Sequence, residues 1–234
     1  MCAELPPAET NVPFERVGAM VRQLTHDVRN GLNSMELQAA YISDLVRDPE
    51  DGADALAELK RLRGMFAEQG RALQRFAARF RTGKPETVNY PAKLLLEDYR
   101  ERLMKTQPDF APQVAWTDDL AEEVIAVDPE MIFAALGEFF QNAEHFQETG
   151  PPVTAQAGAK TGRFQIELCE PRTTVASPPA TWGCAPLVST RRGGCGLGLF
   201  HARQLLAALG GGVELAHDAT TARLTTRIFL PLVR

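Results

Sequence analysis

The sequence predicts an α+β protein in which an amino-terminal two-helix hairpin is followed by an α/β sandwich with a mostly antiparallel sheet. Apolar residues follow a heptad repeat through residues 17–80, which is the pattern of helices packed in a supercoiled bundle. From Pro91 onward, short β-rich segments alternate with helical segments. Turn-forming residues at 48–52 and 83–85 separate these patterns. We therefore expect two domains, at residues 1–84 and 91–234.

Each helix of the predicted hairpin carries one apolar stripe, and the short turn between the helices makes them antiparallel. Two hairpins paired in a four-helix bundle bury both stripes, at about 25 cal/mol per Å² of apolar surface. An intramolecular bundle would need two further heptad helices, which the rest of the sequence does not show. We therefore predict a homodimer. The stripes comprise Val17, Val21, Leu24, Val28, Gly31, Met35, Ile42 and Leu45 on the first helix and Leu56, Leu59, Leu62, Phe66, Leu73, Phe76 and Phe80 on the second.

The second region begins with a helix near residues 94–104 and contains a well-marked helix start at Asp128, followed by Pro129. A capping carboxylate before a first-turn proline is a favoured way to begin a helix. We expect residues 170–193, which contain four prolines and three arginines, to form a long mobile loop. A last helix is predicted at residues 196–209. Strands are predicted near residues 114–116, 124–127, 153–157, 164–168, 213–215 and 224–230.

Composition and charge exclude several functional classes. The net charge of −5 argues against a general nucleic-acid binder. No apolar run approaches the roughly 20 residues that span a bilayer, so we expect no membrane partner. The amino terminus lacks the basic-then-apolar pattern of a secretion signal, and the four cysteines lack a metal-binding spacing. We expect a cytoplasmic protein with reduced thiols.

His26 is the first candidate catalytic residue. It lies off the apolar stripe, beside Asp27 and one helical turn before Asn30, and residues four apart are neighbours on a helix. A neutral imidazole nitrogen can attack a phosphorus atom, while the adjacent carboxylate fixes the tautomer and accepts the proton. An amide at the fourth position can orient a water that removes phosphate from a partner. On the helix alone, a solvated surface histidine is the more common interpretation.

A glycine-rich segment at residues 194–199 favours the catalytic interpretation of His26 over that of a solvated surface histidine. Because Gly194, Gly196 and Gly198 open a predicted helix, backbone amides there can bind an anion at the positive end of the helix dipole. Arg191 precedes this segment and can contact phosphate oxygens. Upstream, Glu138 and Asn142 lie one turn apart and can offer oxygen ligands to Mg²⁺.

In this order, these motifs resemble the catalytic core of two-component histidine kinases over about residues 14–234. The run His26-Asp27-Val28-Arg29-Asn30 is similar to the phospho-accepting box of their dimerisation domain. The run Phe139-Phe140-Gln141-Asn142-Ala143 is similar to the asparagine box of their ATP-binding domain. Residues 186–191 and 194–199 resemble the lid end and second glycine box. A strand ending in Asp128 and a glycine turn at residues 210–212 also fall where this family has a strand ending in aspartate and a closing glycine turn.

The resemblance implies an ATP-dependent protein-histidine kinase with an ATP-binding domain of the GHKL type. By that resemblance, His26 receives the γ-phosphate, Asp27 assists and Asn30 supports phosphatase action. Asn142 holds Mg²⁺, and the glycines surround the triphosphate. An aspartate in the receiver domain of a response regulator is the final acceptor. The ATP-binding set so implied is Glu138, Asn142, Glu170, Arg191, Gly194, Gly196 and Gly198.

The sequence departs from this family at the first glycine box, where Asp-x-Gly-x-Gly is expected. Glu170 stands in for the adenine-reading aspartate, and Arg172 and Thr174 replace glycines that let a nucleotide approach the backbone. Arg172 can block the pocket or pair with a phosphate. An alternative function is therefore a histidine phosphotransferase whose kinase-like domain does not bind nucleotide. A third interpretation, a purely structural dimeric adaptor, leaves His26 and Asp27 without a role.

Overall fold

The computed structural model describes residues 14–46, 52–78, 84–148, 150–189 and 196–233. The chain divides into a helical unit within residues 11–82 and a mixed unit that begins at residue 83. The helical unit consists of α1 (Phe14–Leu45) and α2 (Gly52–Ala78). The predicted two-helix hairpin and the predicted α+β class are both confirmed.

The contact between α1 and α2 includes most of the predicted stripe on α1 and leaves most of the described α2 stripe exposed. Met35 is buried on α1, and the half-buried residues around it recur at heptad spacing. On α2 the residues turned toward α1 are buried Ala55 and half-buried Leu62 and Met65. Four residues of the predicted α2 stripe remain exposed in the single chain, and their burial between two paired hairpins stays a prediction. These four are Leu56, Leu59, Phe66 and Leu73. Phe76 and Phe80 lie outside the side chains that the structure describes.

The mixed unit is built on a five-stranded sheet in the order β2-β4-β5-β7-β6. Strand β2 is parallel to β4, and the other neighbours are antiparallel. A separate two-stranded ladder joins β1 and β3. This arrangement confirms the predicted, mostly antiparallel sheet. The strands are β1 (Val88–Pro91), β2 (Val114–Asp119), β3 (Val124–Val127), β4 (Val153–Lys160), β5 (Arg163–Pro171), β6 (Gly212–Asp218) and β7 (Arg223–Pro231).

One face of this sheet packs against helices to form a two-layer core. Alternate residues of β4 and β5 are buried, as expected for strands with one face on a core. They share a hydrophobic cluster with residues of three helices. At its centre the ring of Phe140 stacks on Trp116, with 5.4 Å between ring centroids. The helices are α3 (Ala92–Thr106), α4 (Pro129–His145) and α5 (Gly198–Ala208).

Asp128 caps α4 as the sequence predicts. Its Oδ1 accepts hydrogen bonds from the backbone N–H groups of Glu130 and Met131, at 3.1 and 3.2 Å. Its Oδ2 accepts a third from the N–H of Glu86. These bonds satisfy donors that a helix start otherwise leaves without partners. The cap therefore fixes the start of the helix that carries Glu138 and Asn142.

The described part of the segment between β5 and α5, residues 172–189 and 196–197, contains local structure that the sequence did not predict. It contains a 3₁₀ turn at Pro179–Thr181, and Arg203 of α5 donates hydrogen bonds to the backbone oxygens of Trp182 and Val213. Cys184 is disulfide-bonded, so the expectation of reduced thiols is wrong at this residue. The last helix begins at Gly198, two residues later than predicted. Within the described parts of the chain, no helix combines the length and apolar character of a membrane span.

Candidate functional site

The first candidate site lies on the exposed surface of α1. The side chain of His26 is 67% exposed, so the imidazole is accessible to a phosphoryl donor. Its Nδ1 lies 3.4 Å from Asp27 Oδ1. The Nδ2 atom of Asn30 lies 3.2 Å from His26 Nδ1 and 3.4 Å from its Nε2. The structure thus brings together all three residues that the sequence predicts as catalytic.

Gln23 extends this cluster by one turn. Its Nε2 donates a hydrogen bond of 2.8 Å to Asp27 Oδ1, which is the oxygen nearest to the imidazole. A carboxylate held in this way can accept a proton from Nδ1 and leave the Nε2 lone pair as the nucleophile. The sequence analysis missed Gln23, although its i,i+4 spacing to Asp27 is visible in the sequence.

The second candidate site lies in the mixed unit, on α4. Glu138 and Asn142 are both half-buried and are separated by one helical turn. Both side chains offer oxygen atoms, the ligand type that Mg²⁺ prefers, and Mg²⁺ needs only one or two protein ligands beside water and phosphate. Among the described residues, no group of three or more His, Cys, Asp or Glu side chains forms a complete metal site. Glu138 and Asn142 can therefore supply one or two ligands to Mg²⁺, and water and phosphate would supply the others.

Two of the predicted glycines lie at the beginning of α5. Gly198 is its first residue, and Gly196 precedes it with a φ of +64°. A Cβ on Gly196 would lie 2.5 Å from the backbone N of Val188, so no other residue fits without a shift of the backbone. The backbone N of Leu187 donates a hydrogen bond to Gly196 O at 3.0 Å. Arg191 and Gly194 lie outside the described residues.

Glu170 lies at the carboxyl end of β5 and is only 2% exposed. Arg172 is 5% exposed, and its Nη2 lies 3.2 Å from Glu170 Oε2. The guanidinium of Arg172 stacks on Phe146, with Cζ 4.7 Å from the ring centroid. Burial raises the pKa of Glu170, and the nearby Arg172 opposes this rise. The acid predicted to read adenine is therefore already paired within the protein.

Two residues beside this pair were not singled out from the sequence. Phe146 follows the asparagine box, at the C-cap of α4, and supplies the aromatic face. Glu148 accepts a hydrogen bond of 2.8 Å from the backbone N of Thr173. Phe146 was detectable as an aromatic residue placed where a helix ends beside the predicted nucleotide site. Glu148 was not, because its partner is 25 residues away.

Three solved structures are similar to this chain along most of its length. AdeS, a histidine kinase of Acinetobacter baumannii, is 14% identical with a TM-score of 0.51, covering 89% of this chain and 98% of AdeS. ThkA, a histidine kinase solved in complex with the response regulator protein TrrA, is 14% identical with a TM-score of 0.62, covering 94% of this chain. Full-length ShkA in complex with AMPPNP is 21% identical with a TM-score of 0.58, covering 95% of this chain.

The chain has the fold of a histidine kinase catalytic core. It spans 63% of the ThkA chain and 46% of the ShkA chain. No protein-family model matches the sequence, and the comparison with curated proteins gives no match. The likeness therefore establishes the fold alone.

Proposed function

We propose that this chain is a protein-histidine kinase of two-component signalling, with His26 as the residue that carries the phosphoryl group. The observation that supports this most is the exposed imidazole beside Asp27 and Asn30, on the helical hairpin of a histidine kinase fold. The Nε2 lone pair attacks the γ-phosphorus of ATP, the N–P bond forms and ADP leaves. A carboxylate oxygen of a receiver-domain aspartate then attacks the same phosphorus, and the N–P bond breaks.

We assign the nucleotide to the mixed unit. Glu138, Asn142, Gly196 and Gly198 are its proposed ligands, together with Glu170 for the base and Arg191 and Gly194 from the segment outside the described residues. Mg²⁺ would be held by Asn142 and would neutralise the charge of the phosphates when bound. The amides at the start of α5 suit an anion because the helix dipole places partial positive charge there.

The proposed partners are a second copy of the chain and a receiver domain, in the cytoplasm. The exposed stripe formed by Leu59, Phe66 and Leu73 on α2 supports the homodimer, because residues seven apart lie on one side of a helix. Burial of such a stripe in a four-helix bundle would shield it from water. The receiver domain is proposed from the chemistry of the phosphohistidine, whose natural acceptor in such relays is a carboxylate.

One observation favours a second candidate function, that of a histidine phosphotransferase without nucleotide binding. Glu170 is buried and paired with Arg172, so the base contact expected of a kinase is occupied by a side chain of the protein itself. In this second function, His26 receives its phosphoryl group from one phosphorylated receiver domain and transfers it to another. The chemistry at His26 is the same in both functions, and only the donor differs.

The test is phosphorylation of the purified full chain with γ-labelled ATP and Mg²⁺. We expect label at an acid-labile, base-stable position that His26→Gln abolishes. Glu36→Gln, which removes an exposed carboxyl elsewhere on α1, serves as the control and keeps the label. If ATP gives no label but a phosphorylated receiver domain labels His26, the kinase is wrong and the phosphotransferase is correct. Absence of label from both donors refutes both functions.

A further inference from the structure

Glu170 and Arg172 form a buried ion pair at the carboxyl end of β5. Residues two apart on a strand point to the same face, and the backbone N of Arg172 continues the ladder by donating to Ala222 O at 2.8 Å. The guanidinium therefore lies on the same side as the carboxylate, 3.2 Å away. On its other side it contacts the ring of Phe146. Arg172 thus fills the space between an acid and an aromatic face.

A nucleotide base would need the same two contacts. Adenine is planar, stacks on aromatic rings, and offers its amino group as a hydrogen-bond donor to a carboxylate. The guanidinium of Arg172 is also planar, stacks on Phe146, and presents N–H donors to Glu170. Both contacts are therefore already made by a side chain of the protein.

The main chain around Arg172 is firmly held. His217 Nε2 donates to Arg172 O at 2.8 Å, and the N of Thr173 donates to Glu148 Oε2. Among the described residues, Nε and Nη2 of Arg172 and Oε2 of Glu170 have no hydrogen-bond partner in good geometry, although Nη2 and Oε2 lie 3.2 Å apart. Buried polar atoms without hydrogen bonds are costly. A ligand that forms better hydrogen bonds with Glu170 can therefore compete with this pair.

We propose that Arg172 is an internal competitor for the nucleotide base, so that a nucleotide enters only when the Glu170–Arg172 pair opens. This inference rests on one part of the proposed function, namely that the nucleotide base binds beside Glu170. Arg172 lowers nucleotide affinity in the resting protein and restricts phosphorylation of His26 by ATP. Anything that draws the arginine away from Glu170 increases the kinase reaction.

The test is isothermal titration of the full chain with Mg²⁺ and AMPPNP, which binds without transferring phosphate. We expect Arg172→Ala to bind at least tenfold more tightly than the wild type. Arg227→Ala is the matched control, because Arg227 pairs with Glu167 on the exposed surface of the same sheet, and its affinity should equal that of the wild type. Adenosine, which carries no phosphate, should show the same gain with Arg172→Ala, because the competition concerns the base.

Two results would overturn the proposal. If Arg172→Ala binds AMPPNP no more tightly than the wild type, including the case in which neither binds, Arg172 is not a competitor. If Arg172→Ala weakens AMPPNP binding and leaves adenosine unaffected, the arginine contacts a phosphate instead. Should Arg172→Ala lose its cooperative unfolding, Arg172→Met replaces it, since methionine keeps the apolar volume without donors. None of these measurements involves His26, so the proposed function can fail while this inference stands.

Discussion

The side chain of Gln69 on α2 lies directly against the backbone of Gly31 on α1. A Cβ atom added at Gly31 would lie 2.6 Å from Gln69 Oε1. Because residue 31 has no side chain, the amide end of Gln69 occupies the space that a Cβ would take, one residue after Asn30. Phe66, three residues before Gln69 on α2, is 55% exposed.

The exposed stripe on α2 predicts dimerisation. Phe66→Asp combined with Leu73→Asp should convert the protein to a monomer, because each large apolar side chain contributes about 1.5–3 kcal/mol when fully buried. Lys60→Asp, which changes an exposed residue of the same helix away from this stripe, should leave the dimer intact. Sedimentation equilibrium at micromolar concentration measures the mass. A monomeric wild type under these conditions would contradict the prediction.

Two glycines should respond to alanine in opposite directions. Gly196 has a φ of +64° and no room for a Cβ, so Gly196→Ala should destabilise the protein by about 1–2 kcal/mol. Gly137 lies within α4, where a Cβ would meet nothing within 4 Å. Gly137→Ala should therefore stabilise the protein by about 0.5–1 kcal/mol.

Urea unfolding followed by tryptophan fluorescence measures both changes, since Trp116 and Trp182 both lie in the mixed unit. A neutral effect of Gly196→Ala would mean that the turn before α5 does not require the left-handed backbone.

Replacement of Asn30 is predicted to affect the phosphorylation of His26 and the dephosphorylation of a receiver domain differently. Its Nδ2 contacts the imidazole, and we propose that the amide acts in phosphatase action and not in the attack on the γ-phosphorus. Asn30→Ala should therefore keep most of the labelling of His26 and slow the dephosphorylation of a receiver domain at least tenfold. The measurement is the rate of phosphate release from a labelled receiver domain. Equal loss of both reactions would show that Asn30 only orients the ring.

The buried carboxyl of Glu170 predicts a pH dependence of stability. Burial raises its pKa above the ordinary value of 4.5, against the effect of Arg172. The folded protein therefore holds this proton at higher pH than the unfolded chain does. Its contribution to stability is complete below about pH 4.5 and is lost as pH rises through the raised folded-state pKa. The free energy of unfolding of the wild type relative to Glu170→Gln should therefore fall across this range.

Asp218 should affect the pH dependence of stability in the opposite direction to Glu170. Hydrogen bonds from Thr221 and Thr220 lower its pKa below 3.8, so its contribution is present above that value and is lost as pH falls through the folded-state pKa. Wild type relative to Asp218→Asn should lose stability only at acid pH. Urea unfolding at a series of pH values measures both variants, and a Glu170→Gln difference that grows with pH would oppose the assignment.

Local patterns in the sequence predicted most of the fold. The heptads predicted α1 and α2, and Asp128 with Pro129 predicted the start of α4. These features depend on residues close in the sequence, so their spacing carries the information. The cluster at His26 was predictable for the same reason, because one helical turn separates it from Asn30.

Long-range contacts were not predictable in this way. The exposure of Leu59, Phe66 and Leu73 depends on how α2 packs against α1 across the hairpin. The parallel pairing of β2 with β4 joins segments separated by α4. The occupation of the space beside Glu170 depends on Phe146, which is 26 residues away from Arg172 in the sequence. In each case packing of distant segments decided the outcome.

The position of β7 inside the sheet has a consequence for biosynthesis. Strand β7 lies between β5 and β6, although it is made after both. A nascent chain that lacks residues 223–231 leaves one edge of β5 open and gives β6 no neighbour to join. The sheet can close only after this strand has left the ribosome, and until then the exposed edge of β5 is open to association with other chains.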